Sequence, residues 1–475
     1  MASDQEKPDI CVIGAGSGGL TVAAAAASFG VSVTLIERDK MGGDCLNYGC
    51  VPSKALIAAG KTAQTFRKAD RFGIASSEPE IDFSAVNRHV HGVIAAIAPN
   101  DSVERFEGLG VTVIKGDARF LDAETVEVNG RKIKARRFVV ATGSRPFVPP
   151  IDGLKETPHL TNETLFDLTE CPEHLIVIGG GPIGMEMAQA HRRLGATVTV
   201  VEGAKPMGKD DPELVTVVLD RLAKEGIRIE AGAKVVKVAG TEGKIEVTAE
   251  RDGETFTVSG SHLLVAVGRQ PNVDALDLES AGIEYERSGV KVGKDLRTTN
   301  KRVYAIGDVA GGPQFTHVAG YHGGLVLRPL LFRLPIKTKH EEMPHVTYTE
   351  PELGQVGPTE QEARDAGQDV TTVTWPYADN DRAQAERETE GLIKIVVGKR
   401  GKILGAGVAG AKAGEMTNLL ALAVSKGMKL SDLQGFVSPY PTLSEIAKRA
   451  ATSYYSSYTK KPVVRNAVAF LRRFG

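Results

Sequence analysis

Two glycine-rich turns constrain the fold of this chain more than any other feature. Each turn follows an apolar run and precedes a helix-forming stretch, and a second apolar run then ends in a glutamate, Glu37 in the first unit and Glu202 in the second. This order is typical of a dinucleotide-binding unit, in which glycines let the backbone approach a pyrophosphate and the acid binds a ribose. The sequence therefore predicts two dinucleotides and an internal duplication. The glycines of the two turns are Gly14, Gly16, Gly19, Gly179, Gly181 and Gly184.

The residues after Glu202 indicate which nicotinamide dinucleotide the second unit binds. Glu202 is followed by Gly203 and Ala204 rather than by an arginine, so a free ribose hydroxyl is favoured over a phosphate. The sequence thus predicts NADH, while Lys205 leaves NADPH open as the alternative.

The remaining segments complete an α/β fold. Residues 60–105 are predicted to be helical, and from about residue 343 the pattern changes to short strands and helices without a nucleotide signature. We expect two Rossmann-like dinucleotide-binding domains plus a C-terminal α+β domain, which is the natural candidate for a dimer interface. The strands predicted in that last domain are residues 345–349, 370–375, 391–397 and 403–409, and its helices are 415–426 and 443–459.

Composition and charge exclude several classes of function. At 475 residues the chain is too long for a single core, and its 42% hydrophobic and 25% charged residues are typical of a soluble globular protein. The net charge of −1 argues against a nucleic-acid partner, which normally requires a basic excess. The first residues lack the features of a signal peptide, and the alanine-rich run at 23–27 is too short to span a bilayer. A cytoplasmic protein is expected.

Two of the four cysteines, Cys45 and Cys50, lie in a glycine-rich stretch just after the first nucleotide unit. A disulfide needs Cα atoms within about 7 Å, whereas five helical steps rise about 7.5 Å and turn the side chains apart. The pair can therefore close only over a distorted backbone, which the nearby glycines permit. A helix that begins near Pro52 would stabilise a thiolate at Cys50. The spacing alone leaves structural and catalytic pairs open, although a cytosolic pair is more often catalytic.

With both nucleotide units and the cysteine stretch in view, the chain resembles the FAD-dependent pyridine nucleotide–disulfide oxidoreductases, which include dihydrolipoyl dehydrogenase, glutathione reductase and mercuric reductase. The resemblance covers essentially the whole chain and is carried by motifs at residues 42–54, 141–143, 268–272, 307–308 and 351–352. It implies a homodimer. The domains that it implies are an FAD-binding domain at 1–150 and 274–342, an NAD(H)-binding domain at 151–273 and an interface domain at 343–475.

The resemblance also implies which residues bind the cofactors. Glu37 would bind the adenosine ribose of FAD, and Asp308 its ribityl chain. The second unit, with Glu202, would bind NADH. Further residues expected to contact cofactor are Gly43, Lys54, Thr142, Gly143 and Gly268.

A catalytic arrangement follows from the same resemblance. Electrons would pass from NADH through the flavin to the cysteine pair. The flavin would supply the redox chemistry, and the thiols would exchange with the substrate. Cys50 would be the thiolate beside the isoalloxazine, and Cys45 the outer thiol that exchanges with substrate. Lys54 would lie near the flavin N5 and pair with Glu186.

The chain departs from the disulfide-reducing members near its C-terminus. Those members carry a histidine of the partner subunit, five residues before a glutamate, that protonates the leaving thiol. Here Glu445 is kept, but Tyr440 occupies the histidine position. Because imidazole titrates at about pH 6.5 and phenol at about 10, reduction of lipoamide or glutathione disulfide should be poor. Tyr440 is expected either to act as a ligand or hydrogen-bond donor, or to fill space.

Mercuric reductases look similar at this point, because they carry a Pro-Tyr pair whose phenolic oxygen can approach a thiolate-bound metal. We expect the chain to differ from them as well, since no cysteine follows Cys171 in this sequence and their appended N-terminal metal-binding domain is not expected here. The expected substrate is a thiophilic metal ion or a small thiol-reactive molecule. The alternatives are a dihydrolipoyl dehydrogenase with an atypical acid, for which His317 and His322 are candidates, and a flavin-binding partner of a thiol-carrier complex that does not turn over.

The remaining polar features point to no resident metal. No group of histidines, cysteines and acids has the spacing of a structural zinc site. The tail, residues 460–474, is basic and partly amphipathic, so contact with an anionic membrane surface is one interpretation. Packing of the tail on its own domain is the favoured one.

Overall fold

The computed structural model describes residues 5–456, 459 and 461–474. The chain divides into two units. The first comprises Pro79–Gly203 and Gly232–His340 with the described residues up to Ala63, and the second comprises Gln64–Glu78, Ala204–Ala231 and the described residues from Glu341 onward. The division into domains at residues 150, 273 and 342 stays a prediction.

The first glycine-rich turn lies in a parallel sheet of the first unit. Ile10–Ile13, the strand before the turn, lies between two parallel neighbours, and its apolar side chains are therefore buried on both faces. The helix Ser17–Ser28 packs on this sheet through small apolar residues. The strands lie in the order Val303–Ala305, Arg137–Val140, Ile10–Ile13, Val33–Glu37 and Val111–Lys115.

The second glycine-rich turn lies in another parallel sheet of the same unit. There, His174–Ile178 lies between Thr197–Glu202 and His262–Val265. The helix Pro182–Arg193 follows the turn and begins with a proline, whose missing N–H is not needed at a helix start. The order of strand, turn, helix and strand thus occurs twice, which confirms the predicted duplication.

Smaller strand groups and further helices complete the first unit. The sequence did not predict the meander of Lys234–Thr241, Lys244–Arg251 and Glu254–Gly260. Smaller strand groups are Gln5–Glu6, Arg131–Ile133, Thr125–Val128 and Arg119–Asp122 in one sheet, Ser144–Pro146 with Arg269–Pro271, and Tyr285–Glu286 with Gly289–Val290. The remaining helices are Gly43–Asn47, Cys50–Arg67, Phe83–Ile97, Val103–Gly108 and Thr316–Phe332.

The prediction of a helical segment over residues 60–105 is wrong in its middle part. The helix Cys50–Arg67 ends before a 3₁₀ turn at Ala69–Phe72, and Gly73 then adopts a left-handed conformation with φ of +74°. A long α-helix resumes only at Phe83–Ile97. The glycine and the proline in the intervening stretch are the local signals of this break.

An antiparallel sheet organises the second unit, and helices Ala413–Ser425 and Glu445–Ser456 contribute to its core. The sequence prediction missed Glu352–Val356, an inner strand in which polar residues and a glycine interrupt the apolar pattern. The strand order is His345–Thr347, Glu352–Val356, Ile403–Gly410, Leu392–Val397 and Thr371–Pro376. The remaining elements are the strand Arg228–Ala231 and the helices Pro212–Lys224, Glu360–Asp365, Asp381–Glu386, Leu430–Gly435 and Pro462–Leu471.

No helix in the described part of the chain is both long enough and apolar enough to cross a membrane.

Candidate active site

The first glycine-rich turn connects the strand Ile10–Ile13 to the helix Ser17–Ser28 and lies beside the end of the strand Arg137–Val140. Gly14 adopts φ of +106°, and a Cβ atom there would clash with the carbonyl oxygen of Ala141. A Cβ on Gly19 would clash with the carbonyl oxygen of Gly14. By contrast, a Cβ on Gly16 would point into open space directly before the helix Ser17–Ser28. Side chains are thus excluded at Gly14 and Gly19, whereas free space lies beside Gly16 at the helix N-terminus.

Glu37, the acid at the end of the following strand, is buried and fixes the turn. Its Oε2 accepts the N–H of Ala15 at 2.6 Å, and its Oε1 accepts the N–H of Asp39 at 2.8 Å. Each carboxylate oxygen keeps a further lone pair, so Glu37 can also accept a hydrogen bond from a ribose hydroxyl.

The second turn repeats this geometry. Gly179 adopts φ of +112°, and Cβ atoms on Gly179 and Gly184 would clash with carbonyl oxygens as their counterparts do in the first turn. A Cβ on Gly181 would again point into open space at the start of a helix. Glu202 Oε2 accepts the N–H of Gly180 at 2.6 Å, which corresponds to the contact between Glu37 and Ala15.

The two cysteines lie on a short helix and at the start of a long one. Cys45 belongs to the helix Gly43–Asn47, and Cys50 is the first residue of the helix Cys50–Arg67. A side chain at Gly49, between them, would crowd a neighbouring carboxylate, because its Cβ would lie 2.8 Å from a carboxylate oxygen. Both cysteines are thiols joined by a side-chain hydrogen bond. The disulfide expected between them stays a prediction.

The cysteine stretch, residues 42–54, contacts the backbone of the first glycine-rich turn directly. The N–H of Gly42 donates to the carbonyl oxygen of Ala15 at 3.0 Å. Gly43 adopts φ of +58°, and a Cβ there would lie 2.8 Å from the Cα of Gly16. Glycine is therefore required at position 43 both by the backbone conformation and by the close approach.

The environment of the thiols separates their pKa values. The hydrogen bond with Cys45 is the main cause that lowers the pKa of Cys50 to about 6, and Thr316 and the charge of Lys54 lower it further against the effect of burial. Thr316 Oγ1 lies 3.3 Å from Cys50 Sγ. The same hydrogen bond, followed by burial, raises the pKa of Cys45. Cys50 thus ionises first, at a helix N-terminus that stabilises a thiolate.

Lys54 and Glu186 form the expected ion pair. Nζ of Lys54 lies 2.7 Å from Oε2 of Glu186, whose side chain is only 6% exposed. Glu186 lies on the helix Pro182–Arg193, so the pair connects the cysteine helix to the helix of the second turn. A buried carboxylate of this kind depends on its cation, because an uncompensated buried charge is strongly unfavourable.

A polar network that the sequence did not predict joins Asp308 to the cysteine stretch. Ser144 Oγ donates to Asp308 Oδ2 at 2.6 Å and accepts from Nε of Arg269 at 2.7 Å. A second guanidinium nitrogen of Arg269 lies 2.9 Å from Oδ1 of Asp44, the residue before Cys45. Burial is the main cause that raises the pKa of Asp308. These residues are distant in sequence, so no local pattern indicates the network.

The remaining predicted cofactor residues lie where the ends of two strands meet. Thr142 Oγ1 donates to the carbonyl oxygen of Asn272 at 2.8 Å, and the N–H of Asn272 donates to the carbonyl oxygen of Gly143 at 2.9 Å. Gly143 and Gly268 adopt φ of +66° and +132°. The structure thus brings the motifs around residues 142 and 270 together as one antiparallel pair.

Tyr440 and Glu445 lie in the second unit. Tyr440 is 68% exposed, and its hydroxyl donates to Oδ2 of Asp381 at 2.9 Å. This hydrogen bond raises the pKa of Tyr440, so the phenol is neutral at physiological pH. Glu445 accepts a hydrogen bond from Arg449, one helical turn further on, at 3.0 Å. The sequence analysis did not single out Asp381.

The environment of His322 does not suit an acid–base group. The ring is fully buried, its Nδ1 accepts the N–H of Gly307 at 3.2 Å, and its Nε2 lies 2.9 Å from Nε2 of His340. Burial is the main cause that lowers the pKa of His322 to about 4, so the ring is neutral at pH 7. A buried ring with both nitrogens engaged argues against His322 as the replacement for the missing imidazole. His317 is exposed and stacks on Phe315, with ring centroids 5.3 Å apart.

The two glycine turns and their acids fit the pyrophosphate and ribose groups of two dinucleotides. Open space at Gly16 and Gly181 lies at helix N-termini, where N–H groups and the helix dipole stabilise phosphate. Glu37 and Glu202 lie at the strand ends that face a ribose in such units. The residues present therefore fit FAD and NAD(P)H. Among the described residues, no group of three or more histidines, cysteines or acids could hold a metal ion.

Comparison with protein families identifies the class. The family described as pyridine nucleotide-disulphide oxidoreductase matches residues 8–323, and the dimerisation domain of that family matches residues 343–451. The chain belongs to the pyridine nucleotide-disulphide oxidoreductase family. It is an FAD-dependent enzyme with NAD(P)H as electron donor, and the dimerisation domain indicates a homodimer.

Curated relatives fall into groups with different names. A mercuric reductase of Lysinibacillus sphaericus is 35% identical over 95% of this chain and 83% of its own length. A dihydrolipoyl dehydrogenase of Geobacillus stearothermophilus is 37% identical over 93% of this chain and 94% of its own length. These identities support flavoprotein disulfide oxidoreductase activity and do not decide between substrates.

Solved structures confirm the predicted fold class. The Cu(II) complex of the HOCl-induced flavoprotein disulfide reductase RclA from Escherichia coli matches with a TM-score of 0.84 and 29% identity, over 94% of this chain and 99% of that chain. LpdA from Mycobacterium tuberculosis matches with a TM-score of 0.86 and 28% identity over the same shares of both chains.

Proposed function

We propose that this enzyme passes electrons from NADH through FAD to Cys45 and Cys50, and on to a thiophilic metal ion such as Hg(II) or Cu(II) or to a small thiol-reactive molecule. The observation that carries the proposal is the exposed phenol of Tyr440, at the position where disulfide-reducing members have an imidazole.

The unequal environments of the thiols support a division of roles between them. FAD, when bound, supplies two-electron transfer between nicotinamide and thiols. Cys50, whose pKa is lowered to about 6, is proposed as the thiolate on the flavin side, and Cys45 as the outer thiol that meets the substrate. Lys54, held by Glu186, keeps a positive charge near the Cys50 thiolate.

Proton demand separates the two classes of substrate. Reduction of a disulfide releases a thiolate that must be protonated, whereas reduction of Hg(II) to the metal or of Cu(II) to Cu(I) consumes electrons and no proton. General acid catalysis typically accelerates a reaction by about 10²–10⁴-fold. A phenol in place of the imidazole should therefore slow the reduction of disulfides but not the reduction of metal ions. Tyr440 of the partner subunit, oriented by Asp381, is proposed instead to donate a hydrogen bond or to approach a thiolate-bound metal.

The names of two relatives support a metal ion as the substrate. Mercuric reductases are among the curated relatives, and one solved structure is a Cu(II) complex of RclA. Thiolates are suitable ligands for such soft metal ions, so Cys45 and Cys50 are proposed to hold the metal substrate themselves.

Three acids are proposed to hold the dinucleotides. Glu37 and Asp308 are assigned to the adenosine ribose and the ribityl chain of FAD, and Glu202 to the ribose of the nicotinamide dinucleotide. NADH is proposed over NADPH, because Glu202 would repel a 2′-phosphate.

Dihydrolipoyl dehydrogenase activity is the second candidate, since a dihydrolipoyl dehydrogenase is 37% identical to this chain. This activity would require a proton donor other than Tyr440. His322 is buried with both ring nitrogens engaged, which leaves the exposed His317 as the remaining candidate from the sequence analysis.

A panel of electron acceptors, monitored by NADH oxidation, tests the proposal. We expect turnover with Hg(II) or Cu(II) and poor turnover with lipoamide. Cys45→Ser should lose metal-dependent turnover, whereas Cys171→Ser should keep it, because Cys171 lies outside the cysteine stretch and contacts backbone carbonyls of Pro172 and Leu194.

The position of Tyr440 provides the sharpest comparison within this panel. Tyr440→His should raise lipoamide turnover by up to about 10²-fold, because it restores an acid–base group, whereas Tyr440→Phe should not raise it. Lipoamide turnover that exceeds metal turnover and survives Tyr440→Phe would support the second candidate. Metal-dependent turnover unchanged in Cys45→Ser would contradict the proposal.

A further inference from the structure

The end of the chain forms an exposed helix beyond the dimerisation domain of the family. The matched domain ends at residue 451, and a separate helix occupies Pro462–Leu471, followed by a single turn at Arg472–Phe474. Every described side chain from Lys461 to Phe474 is exposed. We call residues 461–474 the tail helix; Lys460 lies outside the described residues. The tail helix is therefore not packed into the core of its own domain.

The tail helix has a continuous apolar face. Positions 463, 467, 470 and 474 follow one another at intervals of four, three and four residues, so they share one side of a helix. The side chains of Val463, Phe470, Leu471 and Phe474 are 79%, 57%, 64% and 75% exposed. Aromatic and aliphatic side chains exposed together on one face mark an interaction surface rather than a solvated one.

The polar side of the tail helix carries a single sign of charge. Lys461, Arg465, Arg472 and Arg473 are its charged residues, and the sequence contains no acid after Glu445. The chain as a whole has a net charge of −1, so positive charge is concentrated at this end. The long side chains of lysine and arginine can keep their charged groups in water while their stems cover apolar surface.

We propose that the tail helix docks the enzyme on an anionic phospholipid membrane, with the apolar face in the headgroup boundary and the cations against lipid phosphates. An amphipathic basic helix of this composition lies in the plane of such an interface. Its 10 helical residues rise about 15 Å, half of the roughly 30 Å hydrocarbon core, so the helix lies on the membrane and does not cross it. Charge complementarity favours an anionic bilayer over a second copy of this nearly neutral chain.

Co-sedimentation of the holoenzyme with lipid vesicles tests this proposal. Vesicles of equal parts phosphatidylglycerol and phosphatidylcholine should bind the enzyme at least about tenfold better than pure phosphatidylcholine vesicles, and binding should fall as salt is raised. Removal of residues 460–475, or the triple reversal Arg465→Glu, Arg472→Glu, Arg473→Glu, should abolish binding without changing NADH oxidation.

A matched reversal elsewhere controls for net charge. Lys399→Glu, Arg400→Glu and Lys402→Glu change three exposed cations of the same unit, and this variant should still bind the anionic vesicles. Equal sedimentation of the full-length and truncated enzymes would overturn the proposal. Dissociation of the truncated enzyme into monomers on gel filtration would also overturn it, because the tail helix would then belong to the subunit interface.

Discussion

At the scale of the residue, Cys45 and Cys50 differ in chemistry although they are close in sequence. Cys50 begins a helix and accepts a hydrogen bond from Cys45, and these features favour its thiolate. Cys45 lies on the preceding short helix, where the same hydrogen bond favours its protonated form. The surroundings thus favour a charged thiolate at Cys50 and a neutral thiol at Cys45.

The depressed pKa of Cys50 predicts how the thiolate depends on pH. In holoenzyme reduced by NADH, the long-wavelength thiolate–flavin absorbance should grow as pH rises through about 6, because the thiolate is lost below its pKa. In Cys45→Ala, which lacks the main cause of the shift, the midpoint should move upward. A wild-type midpoint at the ordinary thiol value of about 8.5, unchanged in Cys45→Ala, would contradict this account.

Removal of Lys54 should affect both the thiolate and the fold. Lys54→Met takes away a positive charge that lowers the pKa of Cys50, so the absorbance midpoint should rise. It also leaves Glu186 buried without its Lys54 partner, which should lower the free energy of unfolding by about 1–3 kcal/mol, measured by urea denaturation.

Two variants make the Lys54 experiment specific. Lys54→Met with Glu186→Gln should recover part of the lost stability, because no buried charge is left unpaired. Lys61→Met changes an exposed lysine on the same helix and should leave the midpoint in place. An unchanged midpoint in Lys54→Met would show that its charge does not act on Cys50.

At the scale of the element, the two glycine turns were predictable and most strand pairings were not. A turn at Gly14 or Gly179 follows from local chemistry, since glycine, strand and helix signals occur within a few residues. The meander of Lys234–Thr241 with its two neighbours depends instead on pairing, and its exposed faces carry polar side chains that weaken the apolar pattern. The inner strand Glu352–Val356 was missed for a related reason.

A substitution in each turn should weaken the binding of one dinucleotide and leave the other bound. Gly14→Ala should lose FAD on purification, because its Cβ would clash with the carbonyl of Ala141, and Gly179→Ala should keep FAD but bind NADH weakly. Flavin absorbance and NADH titration measure the two effects.

Two other glycines provide matched controls for these substitutions. Gly30 and Gly195 also have positive φ, but a Cβ there would meet no atom within 4 Å. Alanine at either position should cost about 1 kcal/mol of stability from backbone strain and leave both dinucleotides bound. Loss of FAD from Gly30→Ala as complete as from Gly14→Ala would show that strain, rather than the close approach, is responsible.

At the scale of the whole molecule, the site is assembled from segments that the sequence keeps far apart. Local motifs predicted the glycine turns and singled out the two cysteines, whereas the Lys54–Glu186 contact was implied only by the family resemblance. Neither indicated that Arg269 links Asp44 with Ser144 and Asp308, or that Asp381 accepts the Tyr440 hydroxyl. Such contacts depend on how distant strands and loops meet, which no local periodicity records.

The path of electrons from NADH to the cysteine pair is the central claim, and an anaerobic titration with NADH tests it most directly. The wild-type holoenzyme should develop the long-wavelength thiolate–flavin absorbance on the first reduction, and Cys50→Ser should never develop it. Cys171→Ser should behave as the wild type. The same absorbance in Cys50→Ser, or its absence from the reduced wild-type enzyme, would contradict the account.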